Sequence, residues 1–316
     1  MKTRRASLHA RAGNVSVLRP MNSSLAAKIA ARKFVVTGEL TPPKGTDLTK
    51  LFASAELLRS SVDALNITES PRARMAMDPR AVGKLLQDRG IEVIVQVTSR
   101  DRNRIAVQSD LLGAAALGLH NFVFMGGDSP AGGDHPDAKP VFDLTASGLL
   151  AAAQSLRNGK DQAGNVLHGT PDLFLGATAN PGAAKFDAEI ENTRRKIDAG
   201  AMLLQTQAVY HVDQLRRFID ALKPDGVAIL AGIIPLKSEK SGPWLNANLP
   251  GVSVPADLLE AMETAAQQGR TRERGIELAA RLIQEMKDVA QGVHIMAIGG
   301  EAEVPEILKQ SGVRGA

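Results

Sequence analysis

The stretch Phe34-Val35-Val36-Thr37-Gly38-Glu39-Leu40-Thr41-Pro42-Pro43 decides the fold. It opens as a short strand-like run of β-branched and aromatic residues, and two prolines end that run. Seven further apolar runs follow it, and longer segments with helical spacing separate them. We therefore expect strands at residues 34–40, 62–68, 91–97, 121–126, 172–178, 202–208, 227–233 and 293–298.

The order of these runs predicts how the strands are arranged. Several are apolar on both faces, which is typical of a parallel sheet covered by helices. Five of the seven start-to-start spacings are 25 to 30 residues, about one βα unit. The sequence thus predicts a (β/α)8 TIM barrel of one domain. A doubly wound open sheet is the alternative, but it requires a glycine-rich turn after the first strand, where this chain has Thr41-Pro42-Pro43.

Two spacings, of 51 and 66 residues, are longer than one βα unit. The first includes a Gly/Asp/Pro loop at residues 126–140, and the second a loop at 237–254 followed by two expected helices, one starting at Pro255. A last helix is expected at residues 304–310. Long loops after barrel strands lie on the catalytic face, so we expect both loops to border the site.

The charge is unevenly distributed along the chain. Residues 1–38 contain eight basic residues and no acidic one, which leaves the remainder with a net charge of −4. We interpret residues 1–33 as a basic extension that is partly disordered, and residues 34–316 as the catalytic barrel. A transit peptide and a second start at Met21 are other interpretations of this extension. Because the excess of basic residues is confined to this extension, we have no reason to expect the barrel to bind nucleic acid.

Composition excludes several classes of protein. The absence of cysteine excludes disulfides, cysteine-ligated metal centres and cysteine nucleophiles, and it is compatible with a cytoplasmic location. A hydrophobic content of 44% is enough for a globular core, and no apolar run approaches the ~18 residues of a membrane span. The six histidines are scattered, and the sequence predicts no metal site.

Candidate catalytic residues are the polar side chains near the carboxyl ends of the strands, where barrel enzymes place their chemistry. Glu39 is the most prominent of them, because burial beside Pro42-Pro43 would favour a protonated carboxyl group that can act as a general acid. A Glu that caps a helix or pairs with Arg72, Arg74 or Arg100 is the alternative.

Three further residues and one arginine-rich run have both a functional and a structural interpretation. Gly127 and Asp128 follow the fourth strand, where they either approach a flat ligand or form a plain turn. Gln207, in the sixth strand, either binds the edge of a heterocycle or bridges neighbouring strands. The run Arg100-Asp101-Arg102-Asn103-Arg104 either holds a phosphate or carboxylate or forms an ion-pair cluster, and its density of arginine favours the first.

Several short motifs together resemble the methylenetetrahydrofolate reductase family, flavin-dependent barrel enzymes, in a divergent bacterial branch. In chain order the motifs are Glu39-Leu40-Thr41-Pro42-Pro43, Gly127-Asp128, Lys196-Ile197-Asp198-Ala199-Gly200-Ala201, Thr206-Gln207 and Gly232-Ile233-Ile234-Pro235. The similarity extends over residues 34–313. It implies reduction of 5,10-methylenetetrahydrofolate to 5-methyltetrahydrofolate in one-carbon metabolism, which feeds methionine biosynthesis.

The resemblance also implies roles for individual residues. Glu39 matches the general acid that opens the imidazolidine ring, and Asp128 the aspartate near flavin and pterin. Gln207 matches a folate-binding glutamine, and Tyr210 is a further candidate for contact with substrate. The implied cofactor is FAD, with FMN as an alternative. The residues expected near it are Thr68, Gln96, Gly127, Asp128, Asn180 and Lys196.

The chain departs from the family pattern at several positions. Gly126 replaces an arginine, Gln96 a histidine and Asn180 an aromatic residue, and a stacking phenylalanine beyond strand seven is missing, so stacking would fall to Tyr210 or Trp244. These departures leave the electron donor open between NAD(P)H and a partner protein, and a homo-oligomer or partner subunit is also expected. The alternative functions are another flavin barrel oxidoreductase, such as a proline-dehydrogenase-like enzyme, and a non-catalytic folate-binding subunit.

Overall fold

A computed structural model describes residues 22–314 of the chain. Eight parallel strands pair with their sequence neighbours, and β8 pairs with β1 to close a barrel. This confirms the predicted (β/α)8 architecture and overturns the open doubly wound alternative, in which the two end strands do not pair. The strands are β1 Val35–Leu40, β2 Ala64–Ile67, β3 Val93–Thr98, β4 Asn121–Met125, β5 Phe174–Ala179, β6 Leu203–Ala208, β7 Ala228–Ile233 and β8 Gly292–Ile295.

Helix α1 precedes the first strand, and the other helices follow the strands and surround the barrel. They are α1 Ser24–Ala30, α2 Thr49–Leu58, α3 Pro79–Gln87, α4 Arg104–Ala116, α5 Ala146–Arg157, α6 Phe186–Asp198, α7 Val212–Leu222, α8 Ser241–Asn248, α9 Ala256–Gln267, α10 Thr271–Met286 and α11 Val304–Gln310. The loop expected at residues 237–254 therefore includes α8. This helix escapes pattern analysis because it is short and buries only Gly242 and Leu245, which gives almost no apolar periodicity.

The apolar residues form two hydrophobic layers. The larger layer lies between the strands and the surrounding helices and includes Phe122, Phe124 and Phe218. The smaller one fills the amino-terminal half of the barrel interior, where Val35, Ile94 and other side chains from the strands meet. Because both faces of each strand are covered, the strands have the continuous apolar character that predicted them.

Helix α1 closes the amino-terminal end of the barrel. Leu25, Ala26 and Ile29 pack into the interior apolar layer, and the Ser23 hydroxyl donates to Oδ1 of Asn121 at 2.6 Å. Residues 24–30 belong to the segment that the sequence assigns to a basic extension, so this part of the extension is an integral part of the barrel. Residues 1–21 of the expected extension lie outside the described residues.

Within residues 22–314, none of the helices combines the length and the apolar character needed to cross a lipid bilayer.

Candidate active site

Glu39 lies near the carboxyl end of β1, and its side chain retains 21% of its exposure. Gln96 Nε2, on β3, donates a hydrogen bond to Glu39 Oε2 at 3.1 Å. Among the described residues Glu39 forms no ion pair with an arginine, and Oε1 of its carboxyl group makes no hydrogen bond. The structure thus brings two predicted site residues together and leaves one carboxyl oxygen available.

His294 is the second neighbour of Glu39, and it was not among the predicted site residues. Its Nε2 lies 3.4 Å from Glu39 Oε2, and its Nδ1 lies 3.0 Å from Oγ1 of Thr37. The imidazole is only 4% exposed because β8 pairs with β1, with His294 opposite Thr37. One signal was available in the sequence: a histidine inside the apolar run of a strand is a buried polar group that requires partners.

A layer of polar side chains lies beneath Glu39 inside the barrel. Asn66 Nδ2 on β2 donates to Oε1 of Gln205 on β6 at 2.6 Å, and it also lies 3.4 Å from His294 Nε2. Both amide side chains are nearly inaccessible to solvent. Barrel interiors are normally filled by layers of branched apolar residues. This network of polar side chains reaches Glu39 through His294, and networks whose hydrogen bonds are satisfied make a barrel interior rigid.

Asp128 lies on the loop after β4 and is exposed. Its Oδ2 accepts a hydrogen bond from the backbone N–H of Arg72, in the loop after β2, at 2.9 Å. Gly127 has a φ of +87°, and a Cβ there would lie 3.0 Å from that of Thr98. The glycine is therefore required both by its backbone conformation and by close packing against β3.

Gln207 is half-buried, two residues beyond Gln205 on β6. Its Oε1 accepts a hydrogen bond from the N–H of the adjacent Ala208 at 3.0 Å, at an irregularity in the pairing of β6 with β7. Within the described chain its amide nitrogen makes no hydrogen bond. Gln207 therefore does not bridge to a neighbouring strand through its side chain, and it keeps a donor for a ligand.

The remaining residues expected near a flavin have protein partners in the structure. Thr68 donates to Thr41 Oγ1 at 3.2 Å. Lys196 is buried and donates from Nζ to the carbonyl oxygen of Thr178 at 2.7 Å, and burial lowers the pKa of its ammonium group. Asn180 donates to the carbonyl oxygen of Pro250 at 3.1 Å, so its side chain holds the loop before α9.

The two candidate stacking residues differ in their surroundings. Tyr210 is buried in the layer between strands and helices, where its hydroxyl donates to the Ile234 carbonyl at 2.6 Å. Burial raises the pKa of this phenol. These contacts do not favour Tyr210 as a substrate-binding residue. Trp244 on α8 is 43% exposed, and the guanidinium of Arg72 lies 5.5 Å from its ring centroid.

The arginines of residues 100–104 form an ion-pair cluster, and the expected anion-binding role is not favoured because their guanidinium groups already have carboxylate partners. The pairs are Arg100 with Asp101 at 2.7 Å, Arg102 with Glu69 at 2.5 Å and Asp110 at 2.7 Å, and Arg104 with Asp143 at 2.9 Å. Burial raises the pKa of Glu69, and the nearby Arg102 opposes this effect.

The edge formed by β3 and β4 has features that fit a flat polar cofactor. The hydroxyl of Thr98 is buried and lacks a hydrogen-bond partner among the described residues. It lies beside Gly127, where the absence of a side chain lets the backbone approach a ligand closely. In the same part of the chain, residues 22–314, no cluster of three or more His, Asp or Glu side chains has the arrangement of a metal site.

Comparison with known proteins shows the family. The family model described as methylenetetrahydrofolate reductase matches residues 24–312. A probable methylenetetrahydrofolate reductase (NADPH) from Caenorhabditis elegans is 25% identical over 232 residues, which cover 71% of this chain and 33% of that protein. The 5,10-methylenetetrahydrofolate reductase of Escherichia coli strain K12 is 24% identical over 246 residues, covering 75% and 76% of the two chains.

The chain thus corresponds to only about a third of the length of the C. elegans relative. A Clostridium thermocellum protein whose solved structure binds two copies of 5-methyl-5,6,7,8-tetrahydrofolic acid has the same fold. Its TM-score is 0.61 at 18% identity, and the match covers 92% of this chain and 100% of that one. Together, the match of the family model over nearly all of the described barrel and the two relatives show that this chain belongs to the methylenetetrahydrofolate reductase family.

Proposed function

We propose that the protein reduces 5,10-methylenetetrahydrofolate to 5-methyltetrahydrofolate with a bound flavin. The observation that carries this proposal is the carboxyl group of Glu39 at the mouth of a barrel of this family. Its Oε2 is held by Gln96 and lies near His294, and its Oε1 has no partner among the described residues. A carboxyl group held in this way has one oxygen oriented by the protein and one available to a substrate.

Glu39 acts as the general acid in this proposal. Opening of the five-membered ring of the substrate breaks a C–N bond, and the departing amine nitrogen takes up the proton of the Glu39 carboxyl group. Protonation of the leaving nitrogen avoids formation of an amide anion, and positioned general acids of this kind contribute about 10²–10⁴-fold to a rate. The hydrogen bond from Gln96 holds its carboxyl group in place.

Asp128 and Gln207 bind the folate. Ring opening leaves a positively charged iminium group on the substrate, and the carboxylate of Asp128 supplies the opposite charge. Gln207 offers its unpaired amide donor to the pterin. The hydrogen bond of Asp128 to the backbone of Arg72 fixes the direction of the carboxylate, because it joins the two loops that carry these residues.

The flavin, FAD or FMN, supplies the hydride for reduction when it is bound. Thr68, Gln96, Thr98 and Gly127 would hold it, since they contribute hydroxyl and amide groups and a close-packed glycine at neighbouring strand ends. Asn180 and Lys196 are left out because their side chains already donate to protein carbonyl oxygens, those of Pro250 and Thr178. The electron donor that restores the flavin is NAD(P)H or a partner protein.

The test is spectroscopic and uses the full chain. The protein is purified, reconstituted with FAD or FMN, and titrated with 5-methyltetrahydrofolate under anaerobic conditions. Bleaching of the flavin absorption band is expected, since the half-reaction runs in reverse and reduces the flavin. A flavin band that methyltetrahydrofolate does not bleach would favour a different flavin oxidoreductase. Failure to bind flavin combined with retained binding of methyltetrahydrofolate would favour a non-catalytic folate-binding subunit.

A further inference from the structure

His294 contacts the proposed general acid but has no role in the mechanism above. Among residues 22–314, the side chains that hydrogen-bond or pair with its imidazole are Thr37, Asn66 and Glu39. Of these three, only Glu39 ionises. The nearest group behind them, Gln205, is also neutral. The imidazole therefore has one ionisable partner, in an interior where the two groups are poorly screened by water.

The hydrogen bonds favour one orientation of the ring proton. Nδ1–H can donate to the Thr37 hydroxyl, and the lone pair of Nε2 then faces Glu39 Oε2, with separations of 3.0 and 3.4 Å. Asn66 lies near the same Nε2 through its amide nitrogen, which already donates to Gln205 at 2.6 Å. A neutral imidazole protonated at Nδ1 thus satisfies both Thr37 and a protonated Glu39, because Nε2 can accept the proton of the carboxyl group.

We propose that His294 is a positioning residue for Glu39 and that the two groups share one proton. In one form the carboxyl group carries the proton and the imidazole is neutral. In the other form the proton has moved from the Glu39 oxygen to Nε2, which leaves a carboxylate beside an imidazolium. Interacting groups release their protons in steps that belong to the pair rather than to either residue. Replacement of either group is therefore expected to change the pH dependence of the other.

The kinetic consequence of this inference rests on the proposed function. The first measurement is the pH profile of the folate half-reaction. His294→Gln keeps an amide donor near Glu39 but cannot ionise. In this variant the rate of the folate half-reaction is expected to decline on the alkaline side at a pH about one unit lower than in the wild type. His120→Gln is the control, because His120 lies before β4, at the other end of the barrel, where Nδ1 contacts the Asp172 carbonyl. A lower rate with an unmoved limb would show a purely structural role and overturn the proposal.

A second measurement needs neither substrate nor flavin. Ring ¹⁵N shifts of His294 are followed against pH in the ligand-free wild type and in Glu39→Gln. The imidazole is expected to protonate at a pH about one unit higher in the wild type, since a carboxylate favours the charged ring. Equal titrations would overturn the shared proton even if the enzyme reduces folate. Different titrations in a chain that reduces no folate would support the pair and contradict only the proposed function.

Discussion

The carboxylate of Asp128 lies 2.9 Å from the backbone nitrogen of Arg72, so the loop after β4 holds the loop after β2. The second loop needs such support, because Ser70, Arg72 and Ala73 all have positive φ angles, of 41°, 56° and 53°. A residue other than glycine in this region costs about 1–2 kcal/mol. Asp134 adds a second contact, accepting from the Met75 N–H at 3.0 Å.

Two substitutions separate the charge of Asp128 from its hydrogen bond. Asp128→Asn removes the charge but keeps an oxygen that can accept from Arg72, whereas Asp128→Ala removes both. We expect both variants to bind 5-methyltetrahydrofolate at least about tenfold more weakly, since a hydrogen bond to a charged group contributes ~1.5–3 kcal/mol. Calorimetric titration measures the affinity. If Asp128→Asn binds with wild-type affinity, the charge of Asp128 does not contribute to folate binding.

The single tryptophan gives a readout of the loop itself. Trp244 packs beneath the guanidinium of Arg72, so its fluorescence reports on the position of the β2 loop. Asp128→Ala is expected to change the emission of the ligand-free protein, and Asp128→Asn to leave it as in the wild type. Equal spectra for all three proteins would show that Asp128 does not hold the loop.

Replacement of Glu39 should separate the two half-reactions. In Glu39→Gln the side chain can still accept from Gln96, but it has no acidic proton to give to the leaving amine. Reduction of methylenetetrahydrofolate should therefore slow by about 10²–10⁴-fold, while reduction of the flavin by its donor stays near the wild-type rate. Stopped-flow absorbance measures both steps. Glu56→Gln, on the exposed surface of α2, is the control, and equal losses in both half-reactions would contradict the assignment.

The amino-terminal helix should contribute strongly to stability. Leu25 is fully buried in the barrel interior, so Leu25→Ala leaves a cavity that the surrounding strands cannot fill. We expect the free energy of unfolding to fall by about 2–5 kcal/mol. Denaturant titration measures the loss. Leu57→Ala, at a side chain that is 45% exposed on α2, is the matched control and should change stability by less than ~0.5 kcal/mol.

Acid should weaken the contact between α4 and the loop after β4. A hydrogen bond from Arg104 lowers the pKa of Asp143 from 3.8 to about 2. A carboxyl group with a lowered pKa in the folded state contributes stability above its unfolded value and loses it as the pH falls. Asp143→Asn should therefore be less stable than the wild type above pH 3.8, and the difference should shrink below that pH and disappear as the pH falls through about 2.

Denaturant midpoints measured across this pH range check the effect of Asp143. Salt is expected to reduce the difference at every pH, because both partners reach the solvent. A difference between the variants that does not depend on pH would show that the Asp143 charge contributes nothing.

Much of the fold was predictable, because local patterns specify it. All eight strands appear within a few residues of the predicted runs, and α11 has the predicted bounds. The positions of Glu39 and Gln96 at strand ends were likewise predictable, since the carboxyl ends of parallel strands meet on one face of a barrel. Helix α8 was missed because a short helix with two buried residues leaves no periodic signal.

The pairing of the arginines in residues 100–104 could not be read from the chain. Arg102 meets Glu69 from the preceding βα unit, and Arg104 meets Asp143 from the following one. A run of positive charge has the same pattern whether its partners are protein carboxylates or a bound anion. Only the folded arrangement of the loops shows which partners are within reach.

The sequence by itself determined the repeating βα order, the strand positions and the acid at the end of β1. These features depend on the apolar periodicity and on the Gly and Pro residues that end elements, which act over a few residues. Tertiary structure alone decided that His294 lies beside Glu39, although 255 positions separate them in the chain. It also decided that α1 enters the barrel floor. Both contacts depend on the pairing of the last strand with the first, and closure of a barrel depends on the register of all eight strands together.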